Sequence, residues 1–315
     1  MQALKLDALS GWRWVTGGWR LFRSQPFSFV VLLFFSWLVL FSASAAIGWL
    51  AEIVGTALPF VSIDFLSWVG GLLVALFAPA LTVGFQQGCR AAAGGLPVHP
   101  ALLFAPFRAG RATLVGLLVL GAVQVVALAG IVWLVSGSEA FRPDPPAAPP
   151  TTAAPAANPS PGKLTTAAPA PAPKDTGTPR EPTEAEQQAT LRSTVQRIKL
   201  GLAYSPVALL MWYAPLLVAW HGVPPGKALF FSVVAVWRNR FAFVVYGLSW
   251  LVIALLVGIV LTTVLLGLGS FGAILAAPVV MLLSTCMYCS VYPTYTTVFV
   301  DPSTLPATAP LSRTP

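Results

Sequence analysis

Six long stretches with almost no charged residue place the strongest constraint on how this chain folds. Each is close to the roughly 20 apolar residues that an α-helix needs to cross the hydrocarbon core of a bilayer. Hydrophobic residues make up 57% of the 315-residue chain and charged residues 9%, against about 25% charged in soluble proteins. A globular core cannot take up so much apolar surface. The predicted spans are 27–54, 66–86, 113–135, 202–220, 241–266 and 271–299.

These spans predict an all-α fold, a polytopic membrane helix bundle of about six transmembrane helices with short interfacial helices. The chain divides into a cytoplasmic interfacial segment, three spans, a linker, an amphipathic helix leading into three further spans, and a cytoplasmic tail. The boundaries of these five segments are predicted at 1–25, 26–136, 137–182, 183–300 and 301–315.

Basic residues occur in alternate short loops, which predicts the orientation of the spans. The first and fifth loops carry no lysine or arginine, whereas the N-terminal segment and the second and fourth loops do. Lysine and arginine are retained on the cytoplasmic side, so both termini are predicted to be cytoplasmic in a bacterial inner membrane. Because the +8 net charge is spread in this way, no nucleic-acid partner is expected. The interfacial candidates are Arg20, Arg23, Arg108, Arg111, Arg238 and Arg240.

One group of basic residues opposes this orientation. Arg192, Arg197 and Lys199 precede the fourth span, on the predicted outer side. They belong to a long loop, and charge in loops of about 60 residues determines topology only weakly. The orientation with both termini in the cytoplasm is therefore retained.

The third loop has a different composition from the rest of the chain. Alanine, proline and threonine dominate Pro143–Pro173, with Leu164 as its one large aliphatic residue. Such a segment buries too little apolar surface to offset its ordering entropy, and dense proline favours extended conformations. It is predicted to be a disordered extracytoplasmic linker, either a tether or a tolerated insertion. A capping-box sequence from Thr183 to Glu186 predicts that a helix follows it.

An internal repeat is the most informative pattern in the chain. The sequence FAPALTVGF (Phe77–Phe85) is followed by GLPVHPALLF (Gly95–Phe104), two arginines and a span. YAPLLVAWHG (Tyr213–Gly222) is followed in the same way by VPPGKALFF (Val223–Phe231), two arginines and a span. A fainter arginine-bearing segment precedes the first span, and Ala-Pro recurs in the sixth. The chain is therefore predicted to contain three two-span repeats, each led by an interfacial helix.

Prolines inside the predicted spans are candidate helix kinks. Proline removes one backbone hydrogen bond and clashes with the preceding turn. The kink candidates are Pro79, Pro215 and Pro278. Such kinks serve either as hinges around a substrate site or simply as packing geometry, and both interpretations stay open.

The segment before the first span mixes arginines with large aromatic residues. This mixture is typical of a helix that lies at the headgroup boundary. Attraction to anionic lipid would follow, although topological anchoring accounts for the same pattern without any lipid specificity. The residues concerned are Trp12, Arg13, Trp14, Trp19, Arg20, Phe22 and Arg23.

Candidate chemical groups are few, and no enzymatic activity, metal or other cofactor is predicted. His99 and His221 belong to no ligand or catalytic pattern. Cys286 and Cys289 have the Cys-x-x-Cys spacing of a redox pair or half of a metal site, but a second pair is absent, and intramembrane cysteine also packs as a small apolar residue. Ion-coupled transport usually needs charge within the spans. The candidates there are only polar, the best being Gln124 and Thr262.

Several of these segments also resemble a known family. GWRWVTGGWRLFRSQP near the start, FAPALTVGF, and YAPLLVAWHGVPPGKALFFS together are similar to an uncharacterised family of proteobacterial multi-pass inner-membrane proteins. The resemblance covers both groups of spans, but not the proline- and alanine-rich linker. It implies an inner-membrane location and brings no functional residues with it.

Two functions remain in competition. The first is a non-enzymatic accessory or assembly protein of the cell envelope, with the lipid bilayer and an unidentified membrane protein as partners. The alternative is a small-solute or lipid transporter or channel built from kinked helical repeats. A lipid-acting enzyme is disfavoured because the sequence offers neither paired carboxylates nor a nucleophile with a base. The sequence leaves the oligomeric state open.

Overall fold

The structure is a computed structural model that describes residues 4–57, 63–136, 184–268 and 270–299, and these residues are helical apart from turns and short extended segments. The first helices are α1 (Ser10–Ser24), α2 (Pro26–Ala57), α3 (Ile63–Leu76), α4 (Ala78–Ala93), a 3-10 helix (Pro100–Phe104) and α5 (Ala105–Arg108). The remaining helices are α6 (Arg111–Ser136), α7 (Glu184–Met211), α8 (Ala214–His221), α9 (Pro225–Arg238), α10 (Arg240–Leu268) and α11 (Ser270–Val298). The predicted linker at 137–182 and tail at 301–315 lie outside the described residues.

The prediction of an α-helical bundle with six spans is confirmed. Within the described ranges, six helical segments are long and apolar enough to cross a membrane. Their mean hydropathy lies between 1.4 and 2.6, and none has more than two charged residues in its most apolar window. These segments are Pro26–Thr56, Leu66–Ala93, Arg111–Val135, Ser193–His221, Arg240–Val264 and Ala276–Val298.

The chain forms two compact parts. The first contains the described residues up to 128 and those from 205 onwards, and every contact discussed below lies within it. The second contains the C-terminal end of α6 and the N-terminal part of α7, up to Tyr204.

Each predicted repeat has the same order of elements in the structure. A short helix ends at an arginine or one residue after it, and a long span begins within three residues of that end. The second span of a repeat is broken at Phe77 in the first repeat and at Trp212–Tyr213 in the second. Pro79 and Pro215 then lie in the first turn of the helix that resumes, where proline's fixed φ and missing N–H cost least. In the third repeat, α11 continues through Pro278.

Helix α1 packs directly on the backbone of α10 and α11. A Cβ atom at Gly18 would lie 2.7 Å from the backbone nitrogen of Ser290, and one at Gly11 would lie 2.6 Å from that of Tyr246. Only glycine allows two helices to approach this closely. Helix α1 therefore belongs structurally with the third repeat, although it precedes the first in sequence.

The tryptophans of α1 divide between two faces. Trp14 is 1% exposed, and its indole N–H donates to the Thr297 hydroxyl at 2.7 Å, so it belongs to the core and not to the predicted headgroup boundary. Trp12 and Trp19 are each 51% exposed. All three tryptophans are interleaved with arginines, so the sequence pattern predicted that all three lie at the headgroup boundary. In the helix, Trp14 lies on a different face from Trp12 and Trp19 and faces α11.

Two amide side chains, Gln25 and Asn239, hold extended backbone segments in the same way. Gln25, between α1 and α2, donates to the Leu96 carbonyl at 2.8 Å and accepts from the Val98 N–H at 2.9 Å. Asn239, between α9 and α10, donates to the Leu4 carbonyl at 2.9 Å and accepts from the Leu6 N–H at 2.8 Å. Each amide therefore binds residues i and i+2 of a segment that leads into a short helix.

These amides, which we call the amide clamps, occupy corresponding positions in the first and third repeats. The corresponding position in the second repeat is Gly110, which has no side chain. The segment that a third clamp would hold begins Val223-Pro224-Pro225, and Pro225 has no N–H to donate. The second repeat therefore lacks the clamping side chain at Gly110, and the segment that it would hold lacks the N–H donor at Pro225. The clamps give structural support to the repeat pattern read from the sequence.

Candidate functional site

The C-terminal half of α11 is the meeting point of the polar side chains in the bundle. The Tyr213 hydroxyl donates to the Thr294 carbonyl at 3.3 Å, and the Trp212 indole donates to the Thr294 hydroxyl at 3.3 Å. The Tyr246 and Ser290 hydroxyls hydrogen-bond at 2.7 Å. These hydrogen bonds tie the second repeat and α10 to α11.

Gln86 is a fully buried amide at the contact between α4 and α11. Its side-chain nitrogen donates to the Tyr288 carbonyl at 3.0 Å, and the neighbouring Phe85 ring packs edge-on against the Tyr288 ring. The Gln86 side-chain oxygen has no hydrogen-bond partner among the residues that the structure describes. An unpartnered buried acceptor costs about 1–3 kcal/mol, so this amide is held by the packing around it.

A second group, which we call the Arg90 cluster, consists of Arg90, Trp220, His221 and Tyr295. The Arg90 guanidinium lies 5.2 Å from the centre of the Trp220 ring, which joins α4 to α8 by a cation–π contact. Trp220 packs edge-on against Tyr295 with ring centres 4.9 Å apart, and a ring nitrogen of His221 hydrogen-bonds to the Tyr295 hydroxyl. The three second spans therefore meet in one cationic and aromatic cluster.

The Arg90 cluster combines one cation with aromatic rings, a histidine and a tyrosine hydroxyl. Arg90 is exposed and, among the described residues, forms no ion pair with a carboxylate. A histidine beside a tyrosine supplies groups that can donate and accept a proton. The available chemistry is the attraction of an anion to Arg90.

The three cysteines come together in the interior, which the sequence did not predict. Cys89 on α4 packs in the same buried cluster as Cys286 and Cys289 on α11, and Cys286 lies one helical turn from Cys289. Their side chains are 0%, 0% and 7% exposed for Cys89, Cys289 and Cys286. Within the described part of the chain, no group of three or more histidine, cysteine or acidic side chains is placed to hold a metal ion.

We expect these cysteines to resist alkylation in the folded protein. Native membranes treated with N-ethylmaleimide should yield unlabelled protein, and all three thiols should react once SDS unfolds it, because burial excludes both water and the reagent. Mass spectrometry of the intact chain reads out the number of adducts. Rapid labelling of Cys286 or Cys289 before unfolding would favour the reactive Cys-x-x-Cys interpretation over packing.

The six interfacial arginine candidates are all exposed, at or next to the ends of helices. Arg240 additionally lies over the rings of Trp237 at 5.6 Å and Phe241 at 4.8 Å. None of the six is brought to the Arg90 cluster by a contact in the structure. They are Arg20, Arg23, Arg108, Arg111, Arg238 and Arg240.

The two polar candidates within the spans are placed differently. Thr262 lies on an exposed face of α10, and its hydroxyl donates to the Gly258 carbonyl of its own helix at 2.8 Å. Gln124 is half-buried on α6 and has an interaction partner. Since Thr262 is satisfied within its helix, it offers no obvious ligand contact.

Sequence reasoning missed the residues that organise α11, namely Ser290, Thr294 and Tyr295. Their signal is the polar sequence SVYPTYTT (290–297), which is unusually rich in hydroxyl groups for the end of a span. Such groups in a span seek interhelical hydrogen bonds. A search for hydroxyl density rather than for charge would have found them.

The sequence is similar to that of a probable inner membrane protein of Burkholderia thailandensis, with 31% identity over 312 residues. The similarity covers 94% of this chain and 93% of the relative. No protein-family model matches the chain, and no solved structure matches it. The alignment therefore extends over nearly the whole of both proteins.

Proposed function

Because this chain belongs to the family of the Burkholderia thailandensis probable inner membrane protein, we propose that it is a non-enzymatic accessory or assembly protein of the cell envelope. Its spans anchor it in the lipid bilayer. The end of the bundle that carries the arginines then presents a binding surface to another component of the membrane.

The distribution of charge is the observation that supports this proposal. Basic side chains lie exposed near the ends of the spans, and the Asp7–Arg13 pair is the single salt bridge recorded among the described residues. Catalysis needs converging ionisable groups, and the Arg90 cluster supplies no carboxylate to them. A fixed, cationic surface suits the binding of an acidic partner.

Rigidity of this end also supports a docking role. Helix α1 is joined to the Asn239 clamp and to the C-terminal half of α11 by hydrogen bonds and by backbone contacts at glycine. A preorganised surface loses little entropy when it binds a partner.

Photocrosslinking in the membrane tests this function. A photoreactive amino acid at Lys227 or Arg108, both exposed at the basic end, should give a discrete protein adduct, whereas the same group at Val252 on α10 should not. The adduct should disappear when Arg238 and Arg240 are both replaced by glutamate. The accessory role also requires that deletion of this protein impairs assembly of the crosslinked partner, and unchanged assembly would argue against it.

Both termini are proposed to face the cytoplasm. Reporter fusions at Gly94 and Arg313 should be active only with a cytoplasmic reporter, and a fusion at Ala168 only with an extracytoplasmic one, because lysine and arginine in short loops stay inside. Alkaline phosphatase and green fluorescent protein fusions provide the two readouts. An extracytoplasmic signal at Gly94 would reverse the proposed orientation.

A transporter is the second candidate, and the broken second spans favour it. Discontinuous helices often surround a substrate, with free backbone groups at the break available to a ligand. Here those groups have protein partners: the Tyr213 N–H donates to the Ser232 hydroxyl at 3.1 Å, and the Phe77 carbonyl accepts from the Leu81 N–H at 3.1 Å. This pairing makes transport the weaker candidate.

Proteoliposomes separate the two candidates. The accessory function predicts that solute leakage equals that of protein-free vesicles, both for the unaltered chain and for the Pro79→Ala and Pro215→Ala variants. Protein-dependent flux that falls in the two proline variants would instead establish transport through a hinge at the breaks.

A further inference from the structure

An apolar groove of about 490 Å³ lies between α1, α10 and α11. This volume is within the roughly 300–1,000 Å³ range of small-molecule sites. Aromatic side chains line the groove on the side of α1, and aliphatic side chains line it on the side of α10 and α11. The residues that matter here are Trp12, Trp19, Ile253, Val257, Val279 and Leu282.

The groove extends from the level of α1 into the membrane-spanning parts of α10 and α11. Helix α1 contacts α10 at Ala242 and Tyr246 and contacts α11 at Ser290, close to the arginine-bearing ends of the bundle. Val257 and Leu282 lie roughly two to four helical turns deeper along their helices. An occupant of the groove therefore has its apolar part at the depth of the lipid tails.

Two arginines of α1 without an acidic partner lie one helical turn from residues that line the groove. Arg23 lies one helical turn after Trp19 and Arg20 one turn after Thr16, so each arginine adjoins a residue that lines the groove without lining it itself. Both are exposed, and neither forms an ion pair within the described chain. By contrast, Arg13 is paired with Asp7 at 2.7 Å.

A smaller cavity of about 360 Å³ repeats this construction in the first repeat. It lies between α2, the two halves of the broken second span, and the short helices that follow them. Phe104 and Phe107 take the place of the tryptophans, and Arg108 comes directly after Phe107. The same arrangement of a short basic helix over a pair of spans thus produces an apolar groove twice.

We propose that the groove between α1, α10 and α11 binds an anionic glycerophospholipid. One acyl chain lies along Ile253, Val257, Val279 and Leu282, and the phosphate is bound by Arg20 and Arg23. An apolar floor at acyl-chain depth, tryptophans at headgroup depth and two unpaired cations match the three chemical zones of such a lipid. A soluble ligand would match only the cations.

Photoactivatable phospholipids test this proposal on the full chain in nanodiscs of phosphatidylcholine. Trace phosphatidylglycerol with a diazirine in its acyl chain should label groove residues of α10 and α11 about 30-fold more than the matching phosphatidylcholine probe, the ratio expected from two arginine contacts. The Arg20→Gln/Arg23→Gln variant should lose this preference. The Lys227→Gln/Arg238→Gln variant removes the same charge from α9 and should keep it.

A second pair of variants tests the acyl-chain site itself. Val257→Phe with Val279→Phe fills the groove and should abolish labelling of its residues by both probes. Val252→Phe, on a face of α10 outside the groove, should leave labelling unchanged. Because all these side chains face an apolar environment or solvent, the variants are expected to keep the melting temperature of the unaltered protein.

Three outcomes would overturn the proposal. Equal labelling by the two probes would mean that the groove holds only bulk lipid. A preference for phosphatidylglycerol that survives Arg20→Gln/Arg23→Gln would place the phosphate elsewhere. Crosslinks from the groove to a second copy of the chain, in place of lipid, would make it an interface between protomers.

Discussion

Replacement of Gly18 by valine is expected to displace α1 from α11 and to lower the free energy of unfolding by about 3 kcal/mol, the upper end of the usual cost of overpacking. A Cβ at this position would overlap the backbone of Ser290, and the backbone nitrogen of Ser290 would be only 2.7 Å away. Backbone atoms cannot move aside as a flexible side chain can. The two helices must therefore separate, which exposes Trp14 and breaks its hydrogen bond to Thr297.

Unfolding in SDS, followed by tryptophan fluorescence, measures this effect. Gly247→Val is the matched control, because Gly247 lies within α10 and a Cβ there has no atom outside its own helical surroundings within 4 Å. It should unfold at the same SDS fraction as the unaltered protein. If Gly18→Val unfolds no earlier than Gly247→Val, then α1 does not pack on α11 as described.

Replacement of Asn239 by leucine is the second change with a large expected effect. Asn239 is 2% exposed and satisfies both the Leu4 carbonyl and the Leu6 N–H. Leucine has a similar size but neither donates nor accepts, so each stranded backbone group costs about 1–3 kcal/mol. The segment before α1 should detach. A nitroxide spin label at Lys5→Cys should then change from a restricted to a mobile spectrum.

The other clamp provides the control. Gln25→Leu should leave the label at position 5 restricted but mobilise a label at Pro97→Cys, because Gln25 holds Leu96 and Val98. Asn239→Leu should have no effect at position 97. If either substitution loosens both labels equally, the amide clamps are not independent, and general destabilisation explains the result.

The sequence predicted the parts of the fold that depend on local physics. Apolar runs of sufficient length fixed the six spans, and Ala-Pro steps marked where two of them break. Proline acts on its own helical turn, so its effect is readable without tertiary information. Pro278 shows the limit of this reasoning, since the same dipeptide lies inside an unbroken helix.

Contacts between distant segments could not be predicted, because one sequence contains no record of them. Cys89 and Cys289 are 200 positions apart in the chain, and nothing local indicates that they meet. No sequence pattern predicted that Asn239, which lies between two helices, would bind Leu4 and Leu6. The mixture of tryptophan and arginine around Trp14 predicted a position at the headgroup boundary of the membrane. The face of α1 on which Trp14 lies places it in the core instead.

The packing of α1 against the third repeat is tested most directly by a disulfide between Gly17→Cys and Pro293→Cys. A Cβ at Gly17 lies 3.2 Å from the Pro293 Cβ, close to the roughly 3.5–4.5 Å of natural disulfides. Mild oxidation of native membranes should therefore close an intramolecular bridge in nearly all of the protein, seen as a reducible mobility shift on SDS gels. Bridges formed only between two chains, or none at all, would contradict this fold.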